Sequence, residues 1–428
     1  MNYSETLQYL YTSVPVFQHS GGSAYKPGLQ TSIALDDYLQ NPHRAYKTIH
    51  VAGTNGKGST SHLLAAALQQ SGYKTGLYTS PHLADFRERI RVNGEKITEE
   101  YVTDFVARHR PFFETLHPSF FELTMSMAFD YFRACEVDVA IIEVGLGGRL
   151  DSTNIITPEL SVITNISLDH VQFLGDTVEK IASEKAGIIK EGVPVIIGEA
   201  RGNVRQVFEE KAQSAGAPLI FAEEQPVLTE TCIEYGKNRW IYRTADYGTL
   251  ESELGGAAQI QNTRTVLTAI RRLTRQGFVI SPEAVRNAFA HVTELTGLMG
   301  RWQQIQSRPR IVCDTAHNTG GMEYIVRQLA EEPYDTLHIV IGMVNDKDVN
   351  GVLALLPHKA RYYFTRASVA RALPEAELME AAARHGLQGT AYPSVAEALQ
   401  AARQQATEND FIYVGGSTFI VADALSIK

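Results

Sequence analysis

Lys47-Thr-Ile-His-Val-Ala-Gly-Thr-Asn-Gly-Lys-Gly-Ser-Thr60 decides the fold. Thr48, Ile49, Val51 and Ala52 make a short apolar strand, and Gly53, Gly56 and Gly58 make a tight turn. Ser59 then opens a helix through Leu63, Leu64, Ala67 and Leu68 toward Gly72. Backbone N–H groups in such a turn, with a helix N-terminus behind them, form a site for phosphate. Lys57 adds positive charge for the outer phosphates. The hydroxyls of Ser59 and Thr60 stand where P-loops hold phosphate or Mg²⁺. The spacing departs from the common P-loop: a glycine separates the lysine from the hydroxyl residue, and the first glycine is closer. Such a turn alone also suits a surface loop. An apolar strand before it and an amphipathic helix after it point to nucleotide binding.

From this stretch outward, apolar runs alternate with helical patterns. The strands expected are Thr48–Gly53, Thr75–Thr79, Val137–Val144, Leu160–Ile166, Val193–Ile197 and Leu219–Ala222. Between them the periodicity predicts helices over Ser59–Ser71, Thr98–Leu116, Phe120–Cys135, Val178–Lys190 and Val204–Ala215. Continuously apolar strands separated by helices imply a parallel sheet covered on both faces. Residues 1–46 read as two short helices joined by Ser20-Gly-Gly-Ser23. Residues 226–250, with Gly236 and Gly248, read as an antiparallel ribbon, and a long helix follows from Gln259 to Arg275. Thr296-Gly-Leu-Met-Gly300 reads as a hinge. A second, smaller αβ series begins after it, with strands at Ile311–Asp314, Thr336–Gly342, Arg361–Thr365 and Phe411–Gly415. The expected domains are therefore 1–295 and 296–428, the second a doubly wound, Rossmann-like unit.

A chain of 428 residues exceeds one ordinary core, and 44% hydrophobic with 20% charged residues describes a globular chain. A net charge of −9 argues against a general nucleic-acid binder. Cys135, Cys232 and Cys313 show neither metal spacing nor a disulfide framework and read as small buried apolar residues, fitting a reducing cytoplasm. Met1 to Phe17 lacks a basic leader before an apolar core, and no apolar run is long enough for a bilayer, so neither export nor membrane insertion is expected.

Polar clusters fall repeatedly just after strands: Gly53–Ser59, Thr79–His82, Gly145–Asn154, Asp169-His170, Asp314–Asn318, Asn345–Asp348 and Gly416–Thr418. Ligands of open α/β sheets sit at that edge. Glu143 closes an apolar strand and suits either Mg²⁺ or an ordinary sheet-end carboxylate. His170 suits either a metal ligand or a structural role. Glu184-Lys185 reads on its own first as a solvated ion-pair face of a helix. Arg301, just beyond the hinge, could reach across a cleft to a triphosphate.

Assembled, these residues resemble the Mur ligase superfamily and, within it, the folylpolyglutamate synthase and dihydrofolate synthase family. His50-Val-Ala-Gly-Thr-Asn-Gly-Lys-Gly-Ser59 is similar to the family P-loop. Thr79-Ser-Pro-His-Leu83 with Phe86, Glu88-Arg-Ile90 and Asn93-Gly94 resembles a loop of the folate branch. Phe121-Glu122, Glu143 to Asn154, Asp169-His170, Glu184 to Ile188, Gln259 with Asn262, Gly300-Arg301, Asp314 to Asn318, Asp346-Lys-Asp348 and Gly416-Ser417 continue the match. Thr315 departs from a usual glycine and Ala258 from a frequent aromatic or histidine.

The resemblance implies a Mur-ligase-like P-loop central domain and a Rossmann-like C-terminal one. It implies ATP held by Gly53, Thr54, Asn55, Gly56, Lys57, Gly58 and Ser59, with Asn262 at adenine, Arg301 at the phosphates and Asp314 at ribose. Ser80, Glu143 and His170 would hold Mg²⁺, with K⁺ carried as an optional further cation. Lys185 would be a carbamylated lysine, and Lys57, Glu143, His170, Lys185 and Arg301 the catalytic set. Phe121, Glu122, Leu150, Asp151 and Ser152 would line the pterin side, and His317 and Ser417 would place glutamate. The implied reaction joins L-glutamate to dihydropteroate or to reduced folates through an acyl phosphate, in a monomeric cytoplasmic enzyme. The alternatives are another Mur-type amino-acid ligase for cell-wall or storage peptides, and a P-loop kinase or nucleotide-binding module.

Overall fold

The computed structural model describes residues 1–12, 28–234 and 238–427, so Ser20–Ser23 and Gly236 lie outside the described residues. Among these residues the strands form sheets of eight, three and six. The large sheet comprises β1 (Lys47–Ala52), β2 (Thr75–Tyr78), β3 (Ile90–Val92), β4 (Glu95–Lys96), β5 (Val139–Glu143), β6 (Leu160–Ile163), β7 (Val195–Ile197) and β8 (Leu219–Phe221). Its order is β4-β3-β2-β5-β1-β6-β7-β8, parallel from β2 to β8, as the apolar runs require. The β3–β4 hairpin is antiparallel and was not expected as strands. Asn93 and Gly94, with φ of 48° and 80°, form its turn.

Both faces of the sheet are covered. On one face lie the helices Glu99–Leu116 and Phe120–Ala134, packed through Phe105, Phe113, Phe129 and Phe132. On the other lies Lys57–Gln70, in which every residue from Ser59 to Leu68 is buried. This helix is not the amphipathic helix expected. It is apolar or small all round because Gln259–Arg275, Pro282–Ala290 and Val292–Thr296 close over its outer side. The antiparallel ribbon is β9 (Leu228–Glu234), β10 (Arg239–Thr244) and β11 (Gly248–Ser252). Cys313 is buried, but Cys232 is exposed on β9, against the reading of all three cysteines as core residues.

The helix expected over Val178–Lys190 stops at Ala186. Asn154 Nδ2 takes the Gly187 carbonyl (3.1 Å), and a β-carbon at Gly187 would lie 2.3 Å from the Arg149 Cα. The chain turns there to pack backbone against backbone on the Gly145–Leu150 loop.

The second sheet comprises β12 (Gln303–Ser307), β13 (Arg310–Cys313), β14 (Leu337–Ile341), β15 (Arg361–Thr365), β16 (Gly389–Tyr392) and β17 (Phe411–Gly415). Its order is β12-β13-β17-β14-β15-β16, parallel except for β12. Trp302 anchors this core, fully buried against Phe411 and Tyr413. The edge strands β12 and β16 escaped sequence reading because they are short and largely polar. The carboxyl ends of the two parallel sheets share the space between them, which places the site.

Candidate active site

Register sets the site. Val51 pairs with Glu143 and Ala52 with Ile163, so Glu143 and Thr164 flank the entry to the glycine turn. Gly53 and Gly56 have φ of 147° and 84°. A β-carbon at Gly53 would lie 1.8 Å from Thr164 Oγ1, and one at Gly56 would lie 2.2 Å from Asn262 Oδ1. Only glycine allows both the conformation and the packing.

A cavity of about 250 Å³ opens above this turn, lined from both sheets. Of the expected residues, Gly53, Thr54, Lys57, Ser80, Phe121, Leu150, Asp151, Ser152, His170, Lys185, His317 and Ser417 line it. A smaller space of about 60 Å³ adjoins it, bounded by Gly58, Ser80, Glu143 and Arg301. Ser80 borders both.

Two lysines converge on one oxygen: Lys57 Nζ and Lys185 Nζ each donate to the Gly53 carbonyl at 3.0 Å. Burial lowers the pKa of both, and for Lys185, with Lys57 beside it, to about 7. Lys185 is delivered by the helix Val178–Ala186, whose partner loop is tied by Arg149 N to the Glu184 carbonyl (2.7 Å). Opposite stands Glu143, buried, accepting from the Ser80 backbone N–H. Burial pushes its carboxyl up to about 7 despite Lys57, Arg301 and Arg89. Its Oε2 has no hydrogen-bond partner among the described residues. A β-carbon at Gly58 would lie 3.0 Å from Arg301 Nη2 and 3.9 Å from Glu143 Oε2, so both reach the helix N-terminus. Arg301 is held by its Nη1, which donates to Thr315 Oγ1 and to the Gly300 carbonyl.

His170 takes a left-handed backbone (φ 50°) that aims it into the cavity. Burial, then Lys347, lower its pKa to about 3, so it is neutral and competent as a metal ligand. Among the described residues no three His, Cys, Asp or Glu side chains gather as a ready metal cage. Mg²⁺ needs none, since one or two side chains with phosphate oxygens and water suffice. The orphaned Glu143 oxygen, beside Ser80, fits such an ion.

Other expected residues stand outside both spaces. Glu122 caps its own helix: its Oε2 accepts from Ser119 N at 2.6 Å while Ser119 Oγ accepts from Glu122 N at 3.2 Å. Ser59 is turned into the core, where Gln259 donates to it (3.2 Å), and Gln259 accepts from Asn262 (3.0 Å). Both Asp314 oxygens accept backbone N–H groups, from Trp302 (2.7 Å) and Ala316 (2.8 Å). Ser417, by contrast, lies in the cavity wall, where it also caps the helix Thr418–Ser426. Asn55 faces the second sheet's elements and hydrogen-bonds Asn318.

Sequence reading assigned no role to three cations in the cavity wall: Arg89, Lys347 and Arg371. Lys347 had a signal, its place after β14 between Asp346 and Asp348. Arg89 had none, because Glu-Arg-Ile looks like any solvated run. Its guanidinium is buried over the Phe120 ring and its Nε donates to His82 Nδ1 at 2.8 Å.

The Mur ligase middle domain matches residues 51–270, and the Mur ligase glutamate ligase domain matches residues 300–418. The class is thus a Mur ligase. A dihydrofolate synthase/folylpolyglutamate synthase of Bacillus subtilis is 35% identical, with 82% of this chain and 85% of the relative covered. A probable bifunctional folylpolyglutamate synthase/dihydropteroate synthase of Haloferax volcanii is 33% identical over 99% of this chain, which spans about 50% of that longer protein. Escherichia coli FolC in complex with DHPP and ADP superposes with a TM-score of 0.85 and 32% identity, over 99% and 97% of the two chains. A bifunctional folylpolyglutamate synthase/dihydrofolate synthase with Mn, AMPPNP and L-glutamate bound gives 0.82 and 30%, over 100% and 98%. This chain belongs to the folylpolyglutamate synthase/dihydrofolate synthase family of Mur ligases. Among the described residues no helix is long and apolar enough to cross a membrane.

The capping geometry yields a test. Glu122→Ala leaves the buried Ser119 N–H without its acceptor and should cost about 1–2 kcal/mol of stability, read by chemical denaturation. An unchanged midpoint would contradict the capping role.

Proposed function

We propose that this protein is an ATP-dependent ligase that forms an amide between the carboxylate of dihydropteroate or a reduced folate and the amine of L-glutamate. The observation that carries the reading is the pair Lys57 and Lys185 on the Gly53 carbonyl in a cavity lined from both sheets, with Glu143 in the smaller space beside it. The Lys57 ammonium and a glycine turn at a helix N-terminus favour phosphate, and burial beside Lys57 keeps the Lys185 amine easily deprotonated. FolC in complex with DHPP and ADP, and the relative holding Mn, AMPPNP and L-glutamate, support the same substrate classes.

In this reading the Gly53–Ser59 turn and Lys57 hold the ATP phosphates, Arg301 neutralises them from the other side, Asn262 lies toward adenine and Asp314 toward ribose. Ser80, Glu143 and His170 would hold Mg²⁺, which when bound offsets charge on the phosphate oxygens. K⁺ stays an optional addition with no residue assigned. Phe121, Leu150, Asp151 and Ser152 form the pterin side, with Glu122 supporting it through the cap of the Phe120–Ala134 helix. His317 and Ser417 place the glutamate. The enzyme is read as a cytoplasmic monomer.

The substrate carboxylate attacks the γ-phosphorus, the bond to the β-phosphate oxygen breaks, and ADP leaves. The glutamate amine, having lost a proton, attacks the acyl carbon, and inorganic phosphate leaves. The chain's part is to hold two anions together and keep water from the acyl phosphate. Lys185 serves as a carbamate: its depressed pKa supplies the neutral amine that attacks CO₂, and the product replaces a cation with an anion.

Purified protein should release ADP only when L-glutamate is present, assayed separately with dihydropteroate and with tetrahydrofolate. ADP release without any glutamyl product would overturn the ligase reading. Lys57→Ala should lower kcat by about 10²–10³ with the fold intact by circular dichroism. Because the free amine population grows as pH rises through about 7, ¹³CO₂ labelling of Lys185 should increase across that range. A carbamate ¹³C resonance that survives Lys185→Arg would refute the assignment.

A further inference from the structure

Asn318 sits at the junction of the two sheets. It is the N-cap of the helix Thr319–Glu331, accepting from Gly321 N at 2.8 Å. The same carboxamide makes a reciprocal pair with Asn55 of the glycine turn, 3.0 Å in each direction. Its second N–H donates to Asp169 Oδ2 at 3.1 Å. Both donors and both acceptor positions of the amide are therefore used, and three of the four bonds cross from the smaller lobe to the larger one. A flipped amide would set an oxygen against the Asp169 carboxylate and an NH₂ against the Gly321 N–H, so the orientation is fixed.

Asp169 collects further groups from the smaller lobe. Lys347 Nζ donates to its Oδ1 at 2.6 Å, and His317 Nε2 lies 3.4 Å from its Oδ2. Asp169 Oδ1 also accepts from His170 N at 2.9 Å. Each anchor on the larger lobe is thus adjacent to site machinery. Asn55 lies two residues before Lys57, with its own N–H held by Asn165 Oδ1 at 2.9 Å, and Asp169 precedes His170. Any misseating of the smaller lobe moves the glycine turn and the His170 loop together.

We propose that Asn318, with Lys347 beside it, is the positioning residue that couples seating of the smaller lobe to the phosphate turn, and that ADP formation stays matched to amide formation through this contact. The inference rests on the ligase reading. A lobe that is loosely seated still permits phosphoryl transfer but admits water to the acyl phosphate, which then hydrolyses to carboxylate and phosphate.

The test is the ratio of ADP to glutamyl product. Asn318→Ser keeps a helix cap but cannot span to Asn55 and Asp169. Lys347→Gln weakens the same junction without touching the cap. Wild-type protein should give a ratio of about one, as amide synthesis demands. Both variants should raise it several-fold, while kcat/KM for glutamate falls about ten- to a hundred-fold, the range for lost charge-assisted hydrogen bonds. Both products come only from folded molecules, so the ratio is insensitive to a lowered folded fraction. A ratio that stays at one in both variants overturns the proposal. Wild-type protein that makes no glutamyl product would instead overturn the ligase reading.

Discussion

The turn from Gly53 to Gly58 has no room for a β-carbon at Gly53 or Gly56, and the site is built around that fact. Thr164 and Asn262 press on it from outside, at distances that a β-carbon could not tolerate. The pressure bares the backbone at Gly53 and Gly56, beside the Lys57 ammonium, at the start of a helix buried from Ser59 to Leu68. A polar turn in that position needs an anion to answer it. The parallel register then brings Glu143 level with Val51, one step from the turn.

Charge is the second constraint. Lys57 and Lys185 share one carbonyl, Arg301 reaches the same helix start, and Glu143 is buried with an oxygen unanswered. Burial alone would neutralise several of these groups, and it does move Lys185 and Glu143 to about 7. Asp169 goes the other way. Burial pushes its carboxyl up, but His317, Lys347 and His170 outweigh that and hold it well below the usual carboxylate range. It is the fixed anion that ties the smaller lobe down, while the groups near neutrality belong to the chemistry.

Much of this was legible in the sequence where apolar runs ended in polar clusters. β1, β5 and β6 were readable because they are buried on both faces and therefore mostly apolar. The short strands β3, β4 and β12 were not, because Arg91, Glu95, Lys96 and the glutamines of β12 fit a loop equally well. Glu122 shows a signal passed over: Ser119 and Glu122 stand at capping-box spacing, which accounts for the acid before any ligand does. The junction was beyond reach. Asn318 and Lys347 meet Asp169 across 149 and 178 residues of chain, and no local pattern encodes that.

Amide formation here requires a carboxylate made electrophilic by phosphorylation, and the direct measurement follows the oxygen. The carboxylate of the pterin substrate is labelled with ¹⁸O, and the phosphate released with ATP and L-glutamate present is analysed by mass spectrometry. An acyl phosphate requires one labelled oxygen in each phosphate. Phosphate free of label, formed alongside glutamyl product, would contradict it.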